Sequence, residues 1–181
     1  MFKLYFDINN YNYIIINRLI KCLYNINQSF INASKNDYSE VVKLLLKNKR
    51  IDPSDNNNIA IQLASKNGYL KVVKLLLKDK RINPTYNNNL AIGWASENGH
   101  VEVVKLLLTD KRVDPSDHYN YAIQWASKNG HLKVVKLLLK DKRVDPSYID
   151  NFAIRLAAKN GHLKVVKLLL KDKRVDPKWS S

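Results

Sequence analysis

The 181-residue chain holds a single cysteine, a single methionine, five glycines and five prolines. Cys22 alone excludes an intramolecular disulfide framework and a cysteine-based zinc site. Acids are scarce as well: 16 Asp and Glu stand against 31 Lys and Arg, a formal charge of +15. No uncharged apolar run approaches the ~20 residues of a membrane-spanning helix, so none is expected. The opening stretch MFKLYFDINNYNYIIINRLI lacks a clean apolar segment and a small-residue cleavage site. It does not read as a secretory signal, and an intracellular location, cytoplasmic or nuclear, is expected. Neither GxGxxG nor GxxxxGK(S/T) occurs, which removes support for nucleotide cradling. What is present is globular composition, 45% hydrophobic and 26% charged, unlike that of a disordered chain.

The few prolines are evenly placed. Pro53, Pro84, Pro115, Pro146 and Pro177 follow one another at intervals of 31 residues, and Gly68, Gly99, Gly130 and Gly161 keep the same interval. A fixed period of this size marks a repeat architecture. Residues 119–149, YNYAIQWASKNGHLKVVKLLLKDKRVDPSYI, give the unit. The chain divides into a degenerate unit at 26–56, units at 57–87, 88–118 and 119–149, and a last unit with a short tail at 150–181. Residues 1–25 fall outside the template. Tyr13–Ile16, Leu19, Ile20 and Leu23 give them the look of an amphipathic capping helix.

Each unit carries two short helical patterns. In the second unit the first helix runs from about Ile59 to Lys66, with Asn57 or Asn58 as its N-cap and Asn67-Gly68 as its stop. The second helix runs from about Leu70 to Lys78. Its polar residues Lys71, Lys74 and Lys78 cover a stripe of only about 60° at 100° per residue. Val72, Val73, Leu75, Leu76 and Leu77 fill the rest. A helix apolar over most of its circumference must be covered on several sides. One unit offers only its own first helix as cover. The units should therefore stack into an all-α solenoid of helix-turn-helix pairs with short loops, stabilised largely by nearest-neighbour interfaces.

The recurring pattern Ala-Ile-x-x-Ala-(Ser/Ala), then x-Asn-Gly-(His/Tyr), then Leu/Val-x-Val-Val-x-Leu-Leu-Leu resembles the ankyrin repeat. It stands at Ala60–Leu77, Ala91–Leu108, Ala122–Leu139 and Ala153–Leu170, and more loosely at 29–46. The resemblance covers about 150 of the 181 residues. The period is 31 where the family uses 33. Gln62, Gly93, Gln124 and Arg155 stand where the family's first-helix histidine does, and an Asp-Lys-Arg run replaces its loop glycine. The short unit and its Asn-rich linkers look like those of ankyrin proteins from giant viruses of amoebae. The abundance of Asn, Lys and Ile reads as the mark of an AT-rich genome.

The resemblance implies a non-enzymatic scaffold or adaptor that grips a protein, a host protein among the possibilities, in a concave groove of loop tips and first helices. Carried onto this chain, the loop-tip candidates are Tyr86, Asn87, His118, Tyr119, Tyr148 and Ile149, flanked by Lys66, Glu97, Lys128 and Lys159. No catalytic, metal or cofactor site is read. His100, His131 and His162 occupy the Asn-Gly-His turn and read as braces of that turn, while His118 sits alone in a loop. Trp94 and Trp125 alternate with Leu63 and Leu156 at one repeat position, which argues for core packing. The recurring aspartates suit turns. The competing reading is an electrostatic binder of nucleic acid or an anionic surface, through ladders such as Lys74, Lys105, Lys136 and Lys167. Glu40, Glu102 and Thr109 interrupt those ladders, and a merely solvated face is the plainer alternative. The last second helix has no polar replacement on its outer flank, so Trp179 folds over its leucines, or the last unit frays or self-associates.

Overall fold

Helices form where the 31-residue pattern sets apolar residues at helical spacing, and they stop at glycine or before proline. The computed structural model describes residues 25–176, and its regular elements there are all helical. In chain order they are α1 (25–35), α2 (Ser39–Leu46), α3 (Asp55–Lys66), α4 (Leu70–Leu77), α5 (Tyr86–Glu97), α6 (Val101–Leu107), α7 (Asp117–Lys128), α8 (Leu132–Leu138), α9 (Tyr148–Lys159) and α10 (Leu163–Leu169). The expected capping segment up to residue 24, Cys22 within it, and Trp179 lie outside the described residues.

The four later pairs turn on one device, and in the first pair Asp37 takes the glycine's place at φ +59°. After the C-cap Asn67, Gly68 adopts φ +77°. The N–H groups of Gly68 and Tyr69 donate back to the Ser65 and Ala64 carbonyls at 3.2 and 3.0 Å. These are the two bonds of a Schellman stop, which needs a left-handed residue. The second helix then folds against the first. Each first helix also packs on the next first helix, α3 on α5, α5 on α7 and α7 on α9, and each second helix on the next second helix. The result is a two-layer stack in chain order. Its core repeats with the sequence: Ala60, Ile61 and Ala64 from α3 and Val72, Val73 and Leu76 from α4 are all fully buried, as are their counterparts in α5 and α6. Neighbouring first helices, with buried alanines such as Ala60, Ala64, Ala91 and Ala95, share the more extensive contacts.

Two polar locks join consecutive pairs. His100 Nε2–H donates to the Lys66 carbonyl at 2.8 Å, and His131 does the same to Glu97 at 2.9 Å. The His100 ring lies so close over Gly68 that a Cβ there would sit 2.5 Å from Nδ1. His131 covers Gly99 and His162 covers Gly130 in the same way. The histidines therefore brace the turn of the preceding unit rather than their own, and they supply a second reason for glycine at Gly68, Gly99 and Gly130. Nothing lies within 4 Å of the Cβ position of Gly161. On the last pair Val165 and Leu169 are buried, while Leu163 and Leu170 are exposed.

The second lock is the Asp-Lys-Arg run. Asp79 caps the Arg81 N–H at 3.0 Å and holds its guanidinium at 2.6 Å. Arg81 Nη1 in turn donates to the Ile51 carbonyl of the preceding unit at 3.0 Å. Arg112, Arg143 and Arg174 repeat this on Ile82, Val113 and Val144. The charge-assisted hydrogen bond from each arginine, opposed by partial burial, holds Asp79, Asp110, Asp141 and Asp172 below the usual carboxylate value of 3.8. A carboxyl whose folded-state pKa is depressed contributes stability above its unfolded value and loses it as pH falls through the folded one. The arginines are 39–46% exposed, so screening keeps each contribution small. Urea midpoints should hold steady from neutral pH down to about pH 5 and then fall below about pH 4. Asp141→Asn should be less stable at pH 7 and lose less on acidification than the parent. An equal acid loss in both proteins would contradict this role for the locks.

Candidate functional site

The loop tips between pairs are built from left-handed backbone. Residues 56–58, 87–89, 118–120 and 149–151 all have positive φ, between +49° and +62°. Three such residues in a row are costly for L-amino acids, about 1–2 kcal/mol each, and asparagine tolerates them best. This gives the Asn56-Asn57-Asn58 and Asn87-Asn88-Asn89 runs a physical reason beyond genome composition. His118, Tyr119 and the β-branched Ile149 pay the larger cost at the later tips.

One asparagine in each tip holds the strained loop in place. Asn58, Asn89 and Asn120 are buried, and each Oδ1 accepts from a backbone N–H 25 residues on: Asn83 at 2.8 Å, Asp114 at 2.9 Å and Asp145 at 2.8 Å. Asn27 and Asn151 do the same for Asp52 and Asp176. This corrects the N-cap reading, since no side chain caps α3 and Asn58 instead ties the tip to the segment after the second helix. The signal was available as an asparagine recurring at 31-residue intervals inside an otherwise variable loop. A second prop comes from the first helix. Gln62 and Gln124 are buried and donate to the Asn57 and Tyr119 carbonyls, both at 2.7 Å. Arg155 reaches Ile149 O at 3.1 Å. Gly93 has no side chain to do this, and the ring of Tyr121 from the next unit lies 3.0 Å from where its Cβ would be.

Behind the tips, the partly open residues of each first helix fall at i, i+4 and i+7. They are Leu90, Trp94 and Glu97 on α5 and Tyr121, Trp125 and Lys128 on α7; on α9 the same places hold half-buried Phe152 and Leu156 and exposed Lys159. Trp94 and Trp125 are thus half-buried on the groove side, not enclosed in the core, because their position lies on the one stripe that neighbouring first helices leave uncovered. Lys66 Nζ lies over the Trp94 ring at 5.0 Å and Lys128 Nζ over Trp125 at 3.8 Å, so the cations cover the π faces. Tyr121 O–H donates to Glu97 at 2.8 Å. Burial first, then that carboxylate, pushes its phenol above the usual value and keeps it a donor.

The sequence candidates fall into two groups. Tyr86, Asn87, His118, Tyr119 and Ile149 are exposed at the tips, and Lys66 and Lys159 at the helix ends. Tyr148, Glu97 and Lys128 are half-buried instead. The Tyr148 ring is stacked on Tyr119 at 6.2 Å and 23°, while Glu97 and Lys128 are engaged by Tyr121 and Trp125. The structure brings His118, Tyr119, Tyr121, Trp125 and Tyr148 into one aromatic run, with His118 5.6 Å from Tyr121 and Tyr121 5.4 Å from Trp125. Tyr121 was absent from the sequence candidates. An open cleft of about 470 Å³ lies among Asn88, Asp114, Asp117, His118, Tyr119 and Tyr148. Among the described residues no group of three or more His, Cys, Asp or Glu could hold a metal ion, and no helix is long and apolar enough to cross a membrane.

A family profile described as ankyrin repeats, in three copies, matches residues 4–88, 30–118 and 92–178. A search of curated proteins finds no match. Asn120→Ala should remove the acceptor of the Asp145 N–H and cost ~1–3 kcal/mol in urea unfolding, the range for orphaning a buried polar group. Asn56→Ala, at an exposed left-handed place with no such bond, should cost less. Equal losses would contradict the tethering role of Asn120.

Proposed function

The chain belongs to the ankyrin-repeat family, and on that premise we propose that it is a non-enzymatic adaptor that grips a protein partner with the concave side of its third to fifth units. The observation that carries this reading is the aromatic run from Trp125 through Tyr121 and His118 to the stacked Tyr119 and Tyr148. Tyrosine and tryptophan supply large contact area at low entropic cost and dominate interface hot spots. They stand here at positions that differ from unit to unit, on a frame that hardly differs at all. The last two units share HLKVVKLLLKDKRVDP, whereas their tips read SDHYNY and SYIDNF. A rigid frame limits the ordering cost of binding, so a few anchors suffice for affinity. The likeness of the 31-residue unit to those of giant amoeba viruses makes a host-cell protein the partner to look for.

The test is capture from host-cell lysate by the full chain, followed by affinity measurement on the purified partner. Tyr119→Ala combined with Tyr148→Ala should weaken that affinity by about 10–100-fold, the scale of hot-spot truncation. Tyr119 is 67% exposed, so helix content should be unchanged. A partner whose affinity ignores both tyrosines and collapses at moderate salt would contradict the proposal.

A further inference from the structure

The second helices present a surface for which a concave-side adaptor has no use. α8 and α10 carry the same heptapeptide, LKVVKLL. The stack takes up its apolar side, burying Val134, Val135 and Leu138 on α8 and Val165 and Leu169 on α10. Lys133 and Lys136 then fall about 60° apart on α8, Lys164 and Lys167 repeat the stripe on α10, and Lys140 and Lys171 follow just past the two helix ends. All six are exposed.

Among the described residues none of the ion pairs within 4.0 Å involves these six lysines. The nearest acids in the chain, Asp141 and Asp172, are taken by Arg143 and Arg174 at 2.7 Å. The glutamates that break the lysine rows lie on earlier second helices, Glu40 on α2 and Glu102 on α6. Among the described residues the Lys43–Glu40 contact at 3.9 Å is the one lysine ion pair. The arginines are thus spent on the frame, and the lysines of the last two units are left as an unopposed cationic face.

The chemistry of that face distinguishes between polyanions. Leu163 and Leu170 are 68% and 45% exposed, and on the α10 wheel they adjoin Lys167. α8 and α10 carry no aromatic residue to stack on a base and no Arg, Asn or Gln to read a base edge. A phosphodiester backbone offers nothing to exposed leucines. The boundary of a charged bilayer accepts both groups, lysines among headgroups and leucines against the acyl chains. We propose that the α8–α10 face docks on an anionic phospholipid bilayer, leaving the concave side free. This does not depend on the adaptor reading, because the two surfaces share no residue.

The test is cosedimentation of the full chain with vesicles of phosphatidylcholine containing ~30% phosphatidylserine, at ~0.1 M salt, against phosphatidylcholine alone. The anionic vesicles should bind the chain and the neutral ones should not. Each lysine at such a surface contributes about fivefold in affinity, so Lys164→Gln with Lys167→Gln should weaken binding about 25-fold. Leu163→Gln with Leu170→Gln should weaken vesicle binding and leave any binding to a short DNA duplex unchanged. Circular dichroism of each variant checks that the fold is intact. The proposal is overturned if anionic vesicles fail to bind, if neutral vesicles bind equally, if the lysine variant binds like the parent, or if a duplex is bound more tightly than the vesicles at the same salt.

Discussion

A helix that is oily around most of its circumference cannot stay in water with one neighbour. That constraint, written into Val72, Val73, Leu75, Leu76 and Leu77 and repeated at every second helix, makes the rest of the architecture necessary. The first helix covers one side, and the other sides are dry only when a pair lies before and a pair lies after. Fully buried Val73, Val104 and Val135 sit at those junctions in succession. Stacking follows from the composition of one short segment.

Around this hydrophobic requirement the polar residues divide their labour. Histidines and arginines act between units: the rings of His100 and His131 and the guanidinium groups of Arg81, Arg112, Arg143 and Arg174 reach back to a carbonyl of the pair before them. Asparagines and glutamines act at the tips, holding left-handed backbone that would otherwise relax. Aspartates neutralise the arginines and cap the turns. What the frame does not use is an aromatic set along the tips and first helices and a cationic set along the second helices. The separation has a chemical basis. A guanidinium can hold a carboxylate and a carbonyl at once, whereas an ammonium on a flexible stem stays hydrated at the surface.

The period, the two helices per unit, their stops and the stacking could all be read from residue spacing, because each depends on local chemistry repeated without change. The histidine's placement as a brace could be read too, but not its direction, since nothing in Asn-Gly-His says that the ring covers the glycine of the preceding unit. The tips were harder. Asn58 looked like a helix cap because asparagine before an apolar run commonly is one, and its true partner lies 25 residues away. Leucine exchange made Trp94 and Trp125 look like core, yet the position lies on the stripe that neighbouring helices leave open. Tyr148 is half-buried with its ring stacked on Tyr119, a contact between successive tips, 29 residues apart, that spacing alone does not reveal. Tyr121 went unnoticed because its repeat place holds Ile59, Leu90 and Phe152 elsewhere, so it passed for an ordinary apolar residue.

The most direct test of mutual cover as the source of stability is a series of chains with one, two, three and four consecutive units, beginning with residues 119–149 alone. Helix content and urea unfolding are read for each. The account predicts an unfolded single unit, and a midpoint that rises with each unit added as another interface is completed. A single unit that folds by itself, or a midpoint that does not change with length, would contradict it.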